Sequence, residues 1–426
     1  MALHTTDPAP PVDPTHSDPT PTPSPPSTGR AHKGPSGLGF WLIGAVFAVT
    51  MATGSAPAPL YVLYQQRDGF ASFTLTLIFA AYAAGVAVSL LTAGHISDGL
   101  GRRRVLTAAV LLNLLALLVF MTWSTVPGLL LARFVSGLGI GMLTATATVY
   151  LTELHATARP RQGSGRAEVV STAANLGGLG LGPLVTGLLA QYAPDPLRTP
   201  YVVFAFLLVT AGLVVTTVPE TVAHDITWKY RPMRVAVSTT VRVRYAAAAM
   251  HAFTASAMFG LFTSLAPGFL STRLGIGSLA VSGAVTFLVL ASAAGFQLLV
   301  ARLSLQRQAL LGIALLGSGL VVVTVGLTVV SLWALLTGGV LAGAGAGTAY
   351  KAAIGSVIAM TEPDSRGEAL AGLFLGGYAG MSVPVLGLGL LMLATTTTVA
   401  VLVFSAALAG VLVLTLLLTF RTRTPR

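Results

Sequence analysis

Twelve apolar runs, each long enough to cross a lipid bilayer as a helix, constrain this chain more than any other feature. A helix needs about 20 apolar residues to span hydrocarbon. Runs of that kind fall near 38–63, 72–97, 104–123, 126–152, 168–191 and 200–218, and again near 245–270, 279–301, 308–328, 331–357, 367–391 and 396–420. A polar stretch from Glu220 to Arg244 divides them into six and six. Periodicity inside the runs is weak, as befits helices that are apolar on nearly every side. The alternating ten-residue segments of a membrane β-barrel are not seen.

Composition supports this. Only 9% of residues are charged and 54% are hydrophobic. A water-soluble surface takes roughly a quarter charged residues, so the outside of this fold must face lipid. There is no cysteine, which excludes disulfides, thiolate metal sites and cysteine nucleophiles. The formal charge of +11 sits in short clusters between apolar runs, and so reads as membrane topology rather than nucleic-acid binding. Residues 1–37 are rich in Pro, Thr and Ser and hold no apolar run. They are expected to be a disordered tail and not a cleaved signal peptide.

The basic residues orient the chain. With the N-terminus inside, Arg67, Arg198 and Arg273 alone of the 24 Lys and Arg residues fall in outer loops, and Arg133 lies within a run. All others lie on the inner side, including Arg102-Arg103-Arg104, the linker 219–244 and the tail 421–426. Both termini are therefore expected in the cytoplasm of a bacterium, with the protein in its inner membrane. The basic linker either lies along anionic lipid or is simply solvated.

The halves repeat. Arg166-Ala167-Glu168 enters the fifth run and Arg366-Gly367-Glu368 the eleventh. Gly177 and Gly180 match Gly377 and Gly380 at the same offset, with Pro183 and Pro384 one residue out of step. Gly137, Gly139 and Gly141 resemble Gly343, Gly345 and Gly347, although such triplets also recur by chance in glycine-rich spans. The expected fold is all-α and integral to the membrane: twelve helices in two pseudo-symmetric bundles, 38–218 and 245–420. A site is expected at their interface near mid-membrane, reached from each side in turn.

The loop after the second run reads Gly94-His95-Ile96-Ser97-Asp98-Gly99-Leu100-Gly101-Arg102-Arg103-Arg104. Glycine at 101 permits a tight turn, and Asp98 at a membrane edge seeks a positive partner. In a twelve-span chain this pattern resembles the signature of the major facilitator superfamily, over residues 38–420. The resemblance implies a secondary transporter with the major facilitator fold. It also implies that Gly94, Asp98, Gly101 and Arg102 form a conformational latch, with the acid near the positive end of helix eleven. Glu153 and Arg166 are candidate members of that network. The second half carries no Asp or Gly in its equivalent loop, Ala301 to Arg307, so any latch is one-sided.

Charges within the spans are functional candidates because each is costly there. Arg133 precedes Gly137 by four residues, and the spacing resembles a family signature whose arginine is assigned to proton transfer. His251 is a second candidate for proton coupling, the alternative being a packing histidine. Lys351 either snorkels to the inner surface or contacts substrate. No carboxylate lies deep in a span. Met51, Tyr82, Thr144, Phe259, Tyr350, Lys351 and Tyr378 are the candidate cavity lining, and in spans poor in Asn and Gln such a set suits an apolar solute better than a sugar.

The fifth span carries Gly182-Pro183, then Thr186-Gly187. A Gly-Pro pair allows a kink, and the family's exporters carry a similar glycine-rich segment. Tyr150-Leu151-Thr152-Glu153 and Pro219-Glu220-Thr221 instead resemble sugar-porter signatures. The expected activity is proton-coupled efflux of drug-like or secondary-metabolite compounds, with proton-coupled import of a sugar or other nutrient as the alternative. No catalytic constellation, phosphate-binding loop or metal cluster is present in the sequence. Neither enzyme chemistry nor a cofactor is expected. The partners expected are a small-molecule substrate, protons and membrane lipid, with no nucleic acid, for a monomeric protein.

Overall fold

The computed structural model of this chain describes residues 37–93, 96–161, 163, 165–222, 241–362 and 365–421. The tail 1–37, save its last residue, most of the linker 219–244 and the end of the tail 421–426 lie outside them, as does Gly94 of the expected latch. Among the described residues twelve helices are long and apolar enough to cross a membrane. They are α1 Gly37–Asp68, α2 Ser72–Ala93, α3 Arg102–Thr122, α4 Val126–Ala158, α5 Gly165–Tyr192, α6 Thr199–Thr217, α7 Arg242–Ser264, α8 Leu279–Arg302, α9 Leu305–Thr328, α10 Leu332–Met360, α11 Arg366–Ala394 and α12 Thr397–Arg421.

Local chemistry sets the boundaries. Helices α8, α9 and α10 each start at a serine, Ser278, Ser304 and Ser331, whose hydroxyl accepts a backbone N–H three residues on. That satisfies one of the donors that every helix start leaves open. Pro57 and Pro59 break α1 into Gly37–Ser55 and Tyr61–Asp68, so it reaches five residues further than hydropathy alone suggests. α2 stops at Ala93, and Ile96–Leu100 forms a separate short helix. α4 extends to Ala158, since its polar last turns can leave the hydrocarbon.

The apolar window of α7 is 72% buried, whereas those of α6, α11 and α12 are each 33% buried. Phe206 on α6 and Val321 on α9 are exposed apolar side chains of the lipid face. Trp41, Trp123, Tyr192 and Trp333 are exposed near span ends, where amphipathic rings meet headgroups.

The glycine triplets occupy equivalent places in the two halves. A Cβ on Gly137 or Gly141 would strike α2, and one on Gly139 would strike α3. A Cβ on Gly343 or Gly347 would strike α8, and one on Gly345 would strike α9. These pairings are related by six helices. In lipid, where close packing replaces the hydrophobic effect between helices, small residues allow such approach.

The halves meet along α2–α11 and α5–α8. A Cβ on Gly187 would lie 2.3 Å from the Leu279 carbonyl oxygen, and one on Gly283 would lie 2.2 Å from that of Pro183. Gln191 of α5 also accepts the Leu279 backbone N–H of α8, at 2.9 Å. These contacts lie toward the end opposite Arg102, where α5 and α8 meet backbone against backbone. At the Arg102 end, the ion pair found between halves among the described residues joins Lys351 of α10 to Glu168 of α5.

Candidate functional site

Two groups of polar residues interrupt the apolar bundle, one at its basic end and one inside. The first is built around the start of α3. Gly101 has φ +95°, a conformation that favours glycine, and a Cβ there would lie 2.6 Å from a Glu220 carboxylate oxygen. The turn therefore presents the first N–H groups of α3 to Glu220. That carboxylate accepts from the Arg102 N–H at 2.8 Å and the Arg103 N–H at 3.0 Å. Negative charge at a helix start is favoured by the helix dipole.

The Arg102 side chain turns inward and is 6% exposed. It donates to Asp98 at 2.5 Å, to Ser97 at 2.6 Å and to Glu153 at 2.9 Å. Glu153 in turn accepts from the Thr221 hydroxyl at 2.6 Å, while Tyr150 donates to the Pro219 carbonyl at 2.6 Å. The segment after α6 is thus docked onto the loop after α2. Every member belongs to the first half or to the start of the linker that follows it. Asp98 makes its ion pair with Arg102, four residues on, rather than with α11. Arg166 stands apart, its guanidinium 5.2 Å from the Trp41 ring centroid. The expected placement of Arg166 in the network therefore does not hold in this conformation. Glu220 is a member that the sequence pattern pointed to only as part of Pro219-Glu220-Thr221.

The second group lies within the spans. The break in α1 frees the last carbonyls of its first segment, and Arg133 of α4 donates to the Gly54 carbonyl at 2.6 Å. A cation is well placed at a helix C-terminus. Its guanidinium also lies 4.5 Å from the Tyr82 ring centroid, 5.8 Å from Phe79 and 5.9 Å from Tyr61. Arg133 is 3% exposed, and no carboxylate among the described residues pairs with it. Its charge is held by a carbonyl and three π-faces.

Across the interface, Phe374 and Tyr378 of α11 pack against the apolar core of the first half. The Tyr350 ring of α10 stacks on Phe374, with centroids 6.4 Å apart and planes 14° apart. These rings form an aromatic surface reaching from α10 and α11 to the first half, and Lys351 is the residue after Tyr350 in α10. The remaining cavity candidates sit in packed positions. Met51 is buried and meets the Thr144 hydroxyl at 3.8 Å, while Phe259 is in the core of the second half. His251 is buried between α7 and α12, 3.1 Å from the Thr419 hydroxyl, a contact inside one half. Gly182 allows α5 to approach α1, and Gly187 allows it to approach α8. Pro183 lies within a continuous helix that follows a π-helical turn at Ala173–Gly177. No cluster of three or more metal-ligating side chains occurs among the described residues.

Residues 36–324, more than half of the chain, match the family described as Major Facilitator Superfamily. The chain belongs to the major facilitator superfamily. It is a multi-pass membrane protein with the fold of that family's transporters. It is similar to the crystal structure of the nucleoside transporter NupG, with a TM-score of 0.68 and 12% identity over 89% of this chain and 99% of that one. An arabinose-proton symporter of Bacillus subtilis is 32% identical over 118 residues, which are 28% of this chain and 24% of that protein. An uncharacterized MFS-type transporter of Methanocaldococcus jannaschii is 25% identical over 157 residues, or 37% of this chain and 39% of that one. The chain thus aligns with well under half the length of these two relatives.

Proposed function

We propose that this superfamily member is a secondary active transporter of the bacterial inner membrane, with both termini cytoplasmic. It would work by alternating access and export amphipathic, drug-like or secondary-metabolite compounds against protons. The supporting observation is the aromatic surface of Tyr350, Phe374 and Tyr378 between the halves. Such a surface suits a flat apolar body better than a hydroxyl-rich one. Rocking about the α2–α11 and α5–α8 contacts would expose it to each side in turn. Asp98, Arg102 and Glu153 would act as the conformational latch, by a partner change as the halves rotate.

A second reading, proton-coupled import of a sugar or other nutrient, is favoured by a different observation. Glu220 and Thr221 dock on the Arg102 network, and the chain resembles an arabinose-proton symporter over part of its length. Counterflow and pH-gradient transport in proteoliposomes separates the two. Lipophilic compounds accumulating against an imposed proton gradient support export. Sugar entering together with protons establishes import instead.

A further inference from the structure

The sign of the charge inside the membrane bears on what can be carried. Every described Asp and Glu lies in a loop or within two turns of a helix end. Lys351 of α10 is not so confined. Lys351 is nine residues from the end of α10, a depth of about 13 Å at the helical rise. Lys351 is thus a cation set at the interface of the halves and held there by Glu168 of the opposite half.

Lys351 does not behave as a structural staple. Its side chain is 15% exposed, but that of its partner Glu168 is 57% exposed. A pair open to water on one side contributes little. Another anion can therefore take the ammonium at small cost. Nor is Lys351 part of the symmetric scaffold. It follows Gly347 by four residues, and the equivalent residue after Gly141 is Ala145. The residue before it, Tyr350, begins the stacked surface that runs through Phe374.

We infer that the solute is an organic anion with an apolar or aromatic body, and that Lys351 takes its anionic group in exchange for Glu168. The inference rests on the transport reading above and names the class of solute for that cleft. A lipophilic cation at the same place would be repelled by the Lys351 ammonium, and the carboxylate it could turn to, Glu168, is already engaged by that lysine. Exchange at Lys351 also releases the ion pair that joins α5 to α10, so binding of the anion itself loosens the halves at that end.

The test uses three probes of one shape: 2-naphthoate, 2-naphthamide and 2-naphthamidinium. Affinity is read by equilibrium dialysis on the purified full chain in detergent, and flux by counterflow in proteoliposomes. The carboxylate should bind the unaltered protein at least about tenfold more tightly than the amidinium. Lys351→Gln should erase that preference and leave the neutral amide unchanged. Glu168→Gln removes the competing carboxylate, so it should tighten naphthoate binding several-fold, an effect that a purely structural pair would not produce. Absence of a preference in the unaltered protein overturns the inference. So does an equal loss for all three probes in Lys351→Gln, or weaker naphthoate binding in Glu168→Gln. Selective binding with no flux of any probe leaves the anion site standing and removes the transport reading instead.

Discussion

The Ser55 hydroxyl donates to the Leu179 carbonyl at 2.8 Å. In an α-helix that carbonyl would accept from the N–H of residue 183, which is proline here. A residue on α1 thus supplies the hydrogen bond that α5 cannot make for itself. Inside a bilayer no water is present to do so, and an unsatisfied carbonyl is expensive. Gly182 makes this geometry available, since a Cβ there would lie 2.1 Å from the Ala52 carbonyl oxygen.

The first prediction follows from that bond. Ser55→Ala should destabilise the protein by roughly 1–2 kcal/mol, the cost of leaving a buried acceptor unmade. Pro183→Ala restores an N–H to α5, so the same serine change should cost much less in that background. The coupling can be read from melting temperatures of the four proteins in detergent. Equal effects of Ser55→Ala in both backgrounds would mean that the hydroxyl serves its own helix, through Ala52, and not α5.

A second prediction concerns the close contact of α5 and α8. Gly187→Val places side-chain atoms against the Leu279 backbone, so α5 and α8 must separate there. The chain has no cysteine, and a single introduced thiol therefore reports without background. Leu279→Cys is buried at that contact and should react slowly with a maleimide. In the Gly187→Val background its labelling should rise several-fold. Unchanged labelling would show that α5 absorbs the added side chain by moving within its own half.

How much of this was legible follows from which contacts are local. Twelve spans and the division into six and six are written in hydropathy, because lipid imposes that pattern on each segment separately. The turn at Gly101 and the inward reach of Arg102 to Asp98 are also local, lying within five residues. The remaining site is not local. Glu220 meets Arg102 across 118 residues, and Glu168 meets Lys351 across 183. A lysine alone reads first as snorkelling and only second as substrate contact, and its partner on the opposite half gives it a place. Arg166 was drawn toward the latch by family resemblance, but the Trp41 ring lies close enough to take its charge. The break after Ser55 was the missed local signal. Pro57 and Pro59 marked it, and it supplies the Gly54 carbonyl that holds Arg133.

The end network gives a third prediction. Arg102 is nearly buried and serves two carboxylates that are partly open to water, so Arg102→Ala should cost about 1.5–3 kcal/mol, the loss of hydrogen bonds to charged groups. Glu220→Gln keeps the shape but removes charge from the start of α3, and should cost about 0.5–2 kcal/mol. Both are measurable as loss of melting temperature. The second loss should shrink at high salt because Glu220 is partly solvated. A salt-independent loss would point to the hydrogen-bond geometry at Gly101 instead.

Arg133 supports the last prediction. A guanidinium does not give up its proton at any accessible pH, so its part in proton coupling can only be electrostatic. Its charge is set against the Gly54 carbonyl and the Tyr82 face, and it raises the cost of any second positive charge nearby. Arg133→Gln removes that field and can still donate to the carbonyl. Counterflow of solute, which needs no net proton movement, should therefore persist in Arg133→Gln. Accumulation driven by an imposed pH gradient should be lost. Failure of both would mark the arginine as a structural tie between α1 and α4 that the shorter glutamine does not replace. Survival of both would show that the proton path lies elsewhere in the bundle.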